Sequence, residues 1–434
     1  MSDVRVVGAG LAGCEAAFAL SRDGFMVELC EQKPKKHSPA HISDGFAELV
    51  CSNSFKSARP DTAAGLLKNE MRALGSLCLA VADSCAVPAG GALAVDRELF
   101  SHGVTKAIES EPNIKIVRSE ITDIDAIFPT IVATGPLTDG ALADRLFALC
   151  GQGALSFYDA AAPIVTADSI DMERVYAASR YGKGDADYLN CYFDKEGYEA
   201  FHALLVSAEG AGVHGFDFHV YEGCMPIEKL ASRGLDAARY GPMKPVGLIN
   251  PKTGHRPWAA VQLRRENAEG TLYNLVGFQT NLRFSEQKRV FSTIPGLERA
   301  EFARYGVMHR NSFVNSPLAL DGFLGIKDSP FVLVAGQLTG VEGYMESAMC
   351  GMFAARFMKD KLRGRASVLP PPETMCGALL RHLLFENRDF QPLGANMGSL
   401  PPLGEMIKDK RLRYEAQSVR ALAAMEGYIY ENCN

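Results

Sequence analysis

The chain has 434 residues, of which 47% are hydrophobic and 22% are charged. These proportions are typical of a globular protein, and the length exceeds what one simple core holds, so we expect two domains. The formal net charge of −6 excludes a strongly basic chain. A nucleic acid would therefore have to bind a local patch.

The eleven cysteines are scattered, and none forms a CxxC pair. This pattern supports neither a zinc site nor an iron–sulfur site, so we predict no metal. The chain enters a β-type run without a signal peptide, and no apolar run is long enough to span a bilayer. We expect a reduced, soluble, cytoplasmic protein that does not bind a membrane.

The first thirty residues read as strand, glycine turn, helix, strand and acid, which is the order of a dinucleotide-binding site. Gly8 permits the tight turn, Gly10 lets the backbone approach a pyrophosphate, and Gly13 lets the helix pack on the sheet. Glu31 ends the second strand, where it can accept hydrogen bonds from a ribose. An ordinary βα turn is the alternative. The predicted loop residues are Gly8, Ala9, Gly10, Leu11, Ala12 and Gly13.

FAD is favoured over NAD as the resident ligand, because two later stretches also end a buried strand on a glycine. Residues 131–135 end on Thr134 and Gly135, and residues 331–337 end on Gly336 and Gln337, with a helix expected after Gly343. One sheet supplied by both ends of the chain suits a long ligand. An S-adenosylmethionine site could use the first loop but would not require the distant stretch.

Between these stretches the pattern changes from α/β to β-rich. A helical spacing covers residues 66–83, and Asp96 is a candidate cap for a helix that reaches about Glu109. We predict further strands in the middle of the chain at residues 216–221, 246–249, 259–263 and 272–276. The tail after residue 370 reads as helical, with its final segment at 405–430.

The predicted fold is therefore α/β, with three parts. A Rossmann-like FAD-binding domain is formed by residues 1–159 and 301–369. An inserted α+β domain, at residues 160–300, is expected to meet the substrate RNA. A helical C-terminal segment occupies residues 370–434.

Several long sequence motifs of the chain resemble those of one family, the folate- and FAD-dependent tRNA uracil-5-methyltransferases. The resemblance covers nearly the whole chain, and departures are small. Ile42 stands where the family usually has a histidine, and Tyr192 stands where it usually has a proline. The matching motifs are GAGLAGCEAAFAL, SPAHISDGFAELVCSNS, VPAGGALAVDRE, YDAAAPIV, EGCMPIE, GPMKPVGL, RYGVMHRNSFVNSP, AGQLTGVEGYMESA and QPLGANMGSLPPL.

The resemblance implies synthesis of 5-methyluridine in RNA, most simply in the T-loop of tRNA, with ribosomal RNA as the alternative target. It implies FAD as cofactor, 5,10-methylenetetrahydrofolate as carbon donor, and NADH or NADPH as a transient reductant. A thiolate must add to uracil C6, and a base must remove the C5 proton. We assign Cys224 as the attacking thiolate and Cys51 as the base. Tyr344 is expected to carry a proton or hold the uracil ring.

Other roles are left open by the residues. His309, Asn311 and Glu342 are candidates for contact with the folate or flavin, although capping and packing would also explain them. Arg239 or Lys244 could lower the pKa of the Cys224 thiol.

For RNA we consider the pair Arg264–Arg265 and the basic stretch 408–413, although a run of charge is more often a solvated helix face. Two competing functions remain: an NAD(P)H-dependent flavin oxidoreductase of a small molecule, and a flavin-stabilised RNA-binding factor.

Overall fold

The computed structural model describes residues 2–151, 153, 155–182, 185–211, 225–384 and 390–432. The strands are β1 (Val4–Val7), β2 (Val27–Glu31), β3 (Ser54–Ser57), β4 (Ala86–Val87), β5 (Ala92–Val95), β6 (Ile114–Arg118), β7 (Thr130–Val132), β8 (Leu155–Ala160), β9 (Ile164–Thr166), β10 (Tyr176–Ala177), β11 (Tyr188–Phe193), β12 (Ala259–Arg265), β13 (Leu272–Leu275), β14 (Phe302–Arg304), β15 (Met308–Phe313), β16 (Gly325–Ile326) and β17 (Ser329–Val334). The helices are α1 (Leu11–Arg22), α2 (Ala63–Ala73), α3 (Leu77–Ser84), α4 (Arg97–Glu109), α5 (Gly140–Leu149), α6 (Lys195–Ser207), α7 (Ile227–Ala231), α8 (Ala237–Tyr240), α9 (Phe284–Phe291), α10 (Ser316–Ala319), α11 (Tyr344–Leu362), α12 (Met375–His382) and α13 (Lys410–Asn432).

The first sheet has the strand order β16-β17-β7-β1-β2-β6, and it is parallel except for β16. In its centre Val6 lies between Leu29 of β2 and Ile131 of β7. All three side chains are fully buried, as expected for a parallel sheet covered on both faces. Helices α1 and α11 pack closely, since a Cβ atom at Gly351 would lie 2.1 Å from the carbonyl oxygen of Ala12.

The second sheet is antiparallel, with the order β10-β11-β12-β13-β9-β14. It has its own hydrophobic core, to which α6 contributes Tyr198 and Phe201 and α9 contributes Val290 and Phe291. Strands β8 and β15 form a two-stranded ribbon outside both large sheets. Helices α12 and α13 instead add to the core of the first sheet. The α/β fold with an inserted α+β part and a helical tail is thereby confirmed.

Three local predictions need correction. Residues 246–249 form a turn and not a strand, because the segment lies outside the ladders of the second sheet. The helix expected over 66–83 is broken at Gly75, whose φ of +81° ends α2 before α3 begins. The last helix starts at Lys410 rather than 405. The predicted strand 216–221 lies outside the described residues.

The cap expected at Asp96 is confirmed. Its side chain accepts hydrogen bonds from the backbone N–H groups of Glu98 and Leu99 at the start of α4. In the described part of the chain, no helix combines the length and apolarity needed to cross a membrane.

Candidate active site

A groove runs along the carboxyl ends of the parallel strands, which is where ligands bind in open α/β sheets. Ten of the twelve predicted cofactor residues line it: Gly8, Ala9, Gly10, Leu11, Ala12, Glu31, Thr134, Gly135, Gly336 and Gln337. Gly13 does not line the groove and lies behind the loop. Gly343 does not line it either, and caps α11 with a φ of +123° beside Glu346 and Lys56.

The three glycines of the first loop have the different roles expected of them. A Cβ atom at Gly8, whose φ is +97°, would lie 2.7 Å from the carbonyl oxygen of Ala133. One at Gly13 would lie 1.8 Å from the carbonyl oxygen of Gly8, so this glycine lets α1 approach β1. At Gly10 no atom lies within 4 Å of the added position. The space above Gly10 is therefore open for a ligand group.

The start of α1 suits an anionic group. Its N-cap is Gly10, which provides no side-chain cap, and Gly10, Leu11 and Ala12 line the groove, so the first N–H groups of the helix are available to a ligand there. Glu31 accepts hydrogen bonds from the backbone N–H groups of Ala9, at 2.9 Å, and Lys33, at 3.0 Å. The carboxylate holds the loop to the end of β2 while it faces the groove.

Part of the groove was not predicted from the sequence. Residues 119–121, directly after β6, line it, as do residues 136–139 after β7. Their position after the carboxyl ends of parallel strands was the available signal. Other lining residues come from the loop after β2 and from α11: Gln32, Lys33, Ser38, His41, Glu48 and Ser347. Ser38, His41, Glu48 and Ser347 lie within the matching motifs SPAHISDGFAELVCSNS and AGQLTGVEGYMESA, but only the fold shows that they line the groove.

The groove ends at Tyr344, whose hydroxyl group meets Cys51. The Tyr344 Oη atom accepts hydrogen bonds from the backbone N–H groups of Cys51, at 2.8 Å, and Ser52, at 3.2 Å. It also lies 3.0 Å from the Cys51 Sγ atom. Because both lone pairs of the phenol oxygen are occupied, its own proton is directed at the sulfur. The two predicted site residues, 293 positions apart, thus form a hydrogen-bonded pair.

The surroundings keep this pair neutral at pH 7. Burial, with the Asp159 carboxylate, raises the pKa of Cys51 to about 12, while the Tyr344 hydrogen bond and Arg97 act in the opposite direction. Burial, with the charge of a Cys51 thiolate, raises the pKa of Tyr344 well above its ordinary value. Any thiolate at Cys51 would therefore depend on Tyr344 and Arg97 for its stabilisation.

A buried carboxyl group lies close to the thiol. Burial and the charge of Asp159 raise the pKa of Glu342 to about 8, so it is largely protonated at pH 7. Its Oε2 atom accepts a hydrogen bond from Gln337 at 2.6 Å. In the two-stranded ribbon, position 309 pairs with Asp159. Asn311 pairs with position 157, and its side chain is buried. Asn311 therefore lies near this cluster, while the side chain of residue 309 is outside the described part of the structure.

A buried polar junction joins the thiol segment to the second sheet. Arg97 pairs with Glu266 at 2.5 Å and donates to the carbonyl oxygen of Leu49. Arg264 donates to Asn53, at 2.9 Å, and to Ser52, at 3.0 Å. Arg264 is 6% exposed, so its prediction as an RNA contact is wrong, because it is used inside the protein.

The remaining predicted residues do not meet this cluster in the described structure. Cys224 lies outside the described residues, so its role stays a prediction. The Arg239 guanidinium stacks on Trp258 at 3.8 Å and pairs with Asp236 at 3.1 Å, whereas Lys244 is exposed. Both assignments as the cation beside Cys224 therefore stay predictions.

The basic stretch 408–413 is mostly exposed, and two of its four cations have an ion-pair or hydrogen-bond partner within the protein. Arg411 pairs with Glu415 at 3.0 Å, and Arg413 donates to the carbonyl oxygen of Ile407. Residues 408–413 hold four cations and one acid, a net charge of +3, and the flanking Glu405 and Glu415 lower the net charge over residues 405–415 to +1. This surface therefore has little net positive charge with which to attract a polyanion such as RNA.

Known proteins resemble the chain over most of its length. Residues 3–366 match the family model described as glucose inhibited division protein A. The crystal structure of GidA from Aquifex aeolicus has a TM-score of 0.72 with 16% identity, and the match covers 98% of this chain and 73% of that one. This likeness shows the fold.

Relatives with higher identity share one name. The methylenetetrahydrofolate--tRNA-(uracil-5-)-methyltransferase TrmFO of Acetivibrio thermocellus is 52% identical over 428 residues, 98% of each chain. The protein of the same name from Heliobacterium modesticaldum is 52% identical over 431 residues, 99% of this chain and 98% of its own. The chain therefore belongs to the glucose inhibited division protein A family and, with these relatives, to the methylenetetrahydrofolate--tRNA-(uracil-5-)-methyltransferases.

Proposed function

We propose that this protein synthesises 5-methyluridine in tRNA, most simply in the T-loop, with 5,10-methylenetetrahydrofolate as the carbon donor. The observation that carries the proposal is the hydrogen-bonded pair of Cys51 and Tyr344 at the end of a dinucleotide groove. Relatives 52% identical over nearly their whole length bear the name of this activity. A thiol at the end of the groove is what addition and proton transfer at a pyrimidine require.

The groove residues fit FAD. The open space at Gly10, the N-terminus of α1 and the Glu31 carboxylate suit the pyrophosphate and ribose of a dinucleotide. Bound FAD would carry the one-carbon group and supply the reducing electrons, which NADH or NADPH would restore. Gly336 and Gln337 also line the groove, where Gly336 lies against Ala12 of the first loop, and would contact the bound ligand.

Cys51 would accept the proton that leaves uracil C5, once its own thiol proton has been lost to solvent, because burial raises its pKa to about 12 and keeps it protonated at pH 7. The Tyr344 hydroxyl and the Arg97 guanidinium favour the thiolate that accepts it, whereas Asp159 and an ionised Glu342 oppose it. Since the pKa of Glu342 is about 8, this carboxyl is largely neutral near pH 7 and its opposition is small there. Cys224, which the resemblance to the family assigns, would add to uracil C6 as the nucleophile.

The test is an assay of the whole chain with FAD, methylenetetrahydrofolate, NADH and an unmodified tRNA transcript, with 5-methyluridine measured by mass spectrometry. We expect product with the wild type and none with Cys51→Ala or Cys224→Ala, both of which should keep FAD. RNA containing 5-fluorouracil should trap a covalent complex with the wild type, because fluorine cannot leave as a proton. Cys224→Ala should not trap it.

Wild-type turnover of NADH without methylated RNA, on any transcript offered, would overturn the proposal and favour a flavin oxidoreductase. A ribosomal RNA fragment offered in parallel distinguishes the two RNA targets. If only the ribosomal fragment is methylated, the proposed reaction is supported and the substrate is ribosomal RNA instead of tRNA.

A further inference from the structure

Charge is distributed unevenly along this chain. Residues 225–258, here named the basic segment, contain six lysines and arginines and two acids, a net charge of +4. The whole chain has a net charge of −6, so the other 400 residues together carry −10. A local excess of this kind in an acidic protein is typical of a surface for a polyanion.

The basic segment is folded, although it contains no strand. Helices α7 and α8 pack against each other within it. Arg239 links α8 to the end of the segment, since it donates a hydrogen bond to the carbonyl oxygen of Trp258 at 2.8 Å and stacks on the indole ring of the same residue. The Met243 carbonyl oxygen accepts a hydrogen bond from Ala260 of β12, and the Gly247 carbonyl oxygen accepts one from Tyr181. These bonds fix a long loop on the second sheet.

Much of what the segment exposes is cationic or apolar. Lys229, Lys244 and Arg256 are exposed, and their side chains make no ion pair or hydrogen bond with any residue that the structure describes. Tyr240 is 77% exposed and Ile249 is 64% exposed. Unpaired cations beside exposed aromatic and aliphatic side chains suit a ligand with both phosphates and bases.

We propose that the basic segment is the surface that binds the substrate RNA, with Lys229, Lys244 and Arg256 contacting its phosphates and Tyr240 stacking on an unpaired base or a ribose. The identity of this RNA as a methylatable tRNA rests on the proposed function. RNA fits because single-stranded loops present both charged backbone and accessible bases. The segment also begins one residue after Cys224, the assigned nucleophile, so RNA held here would be bound next to that part of the chain.

The competing surfaces carry less excess charge or are not accessible. Arg264 is buried, and the stretch 405–415 has a net charge of only +1. This stretch therefore provides a matched control. Lys408→Ala/Lys410→Ala/Arg411→Ala removes the same formal charge as Lys229→Ala/Lys244→Ala/Arg256→Ala.

The experiment measures binding of a fluorescent tRNA transcript to the FAD-loaded full chain at several salt concentrations. The segment triple variant should bind at least about tenfold more weakly, and the slope of log affinity against log salt should fall by about one for each lost phosphate contact. FAD content and thermal stability should be unchanged. Tyr240→Ala should weaken binding with little change in this slope, and Tyr240→Phe should restore it.

The proposal is overturned if the segment triple variant binds the RNA as tightly as the wild type, or if the control triple variant weakens binding as much as the segment triple variant does. It is also overturned if vesicles of anionic lipid compete with the RNA for the segment, since a membrane surface would then be its ligand. The assay does not depend on methylation. Absence of methylated product with intact, segment-dependent RNA binding would therefore reject the proposed function alone, while unchanged binding by the segment triple variant would reject this inference alone.

Discussion

The nucleotide groove and the thiol pair adjoin each other, but they are built in different ways. The groove depends on backbone and on the absence of side chains, as the positions of Gly8, Gly10 and Gly13 show. The thiol pair depends on side chains from distant segments, Cys51 and Tyr344, and on a buried junction that includes Arg97. Substitutions that add atoms to the glycine loop should therefore weaken ligand binding or folding. Substitutions that remove side-chain atoms should instead destabilise the thiol pair and its junction.

The largest effect on stability is expected for Arg97→Ala. The substitution leaves Glu266, which is 3% exposed, as a buried charge without its partner. Loss of one member of such a pair costs about 3–5 kcal/mol in the free energy of unfolding. Urea denaturation measures it, with Arg72→Ala as control, because the Arg72–Asp83 pair is exposed and should contribute about 1 kcal/mol or less. Equal losses in the two variants would show that the junction is not a buried network.

A pH-dependent effect is expected for Glu342→Gln. Its pKa is raised from 4.5 to about 8 in the folded protein, so the folded state binds this proton more tightly than the unfolded state. Wild-type stability should therefore fall as pH rises from about 4.5 to about 8, and the variant should lack this fall. The variant should gain about 4 kcal/mol relative to the wild type between pH 5 and pH 9. The exposed Glu301→Gln should show no such gain, and a pH-independent difference for Glu342→Gln would contradict the assignment.

A smaller effect is expected for Tyr344→Phe, which removes the acceptor of two backbone N–H groups. The free energy of unfolding should fall by about 1–3 kcal/mol. Since the Tyr344 hydrogen bond lowers the pKa of Cys51, the variant thiol should be alkylated more slowly at each pH up to 10. Site-resolved mass spectrometry measures this rate, with the half-buried Cys150 as internal reference. An unchanged rate at Cys51 would mean that the phenol does not stabilise its thiolate.

The smallest effect on stability is expected for Gly10→Ala, because the added carbon meets no protein atom within 4 Å. Without FAD the free energy of unfolding should change by about 1 kcal/mol or less. The FAD affinity should nevertheless fall at least about tenfold, since the methyl group occupies ligand space. Flavin fluorescence titration and urea denaturation separate the two quantities.

Gly13→Ala provides the contrast within the same loop. Its Cβ atom would lie 1.8 Å from the carbonyl oxygen of Gly8, so the backbone must shift and stability should fall even without FAD. If Gly10→Ala destabilises the protein as strongly as Gly13→Ala, the open space above Gly10 is not a ligand space.

The first loop of the groove and the strands around it could be predicted from local patterns in the amino-acid sequence. Continuous apolar runs predicted the parallel strands β1, β2, β7 and β17, because strands covered on both faces carry no alternation. The glycine spacing predicted which backbone positions must stay free of side chains, and Asp96 predicted a helix start. These features depend on the conformation of a few consecutive residues, so their signal is contained in those residues.

Contacts between distant side chains depend on the tertiary structure. No local pattern pairs Cys51 with Tyr344, buries Arg264 against Ser52, or places residues 246–249 in a loop instead of a strand. Burial, charge pairing and the pKa of Glu342 depend on which segments pack together, and that packing is a property of the whole chain. The nucleotide loop and the strands around it therefore follow from short stretches of sequence. The reactivity of the thiol and the accessibility of the cations follow from the fold, because desolvation and pairing act between residues far apart along the chain.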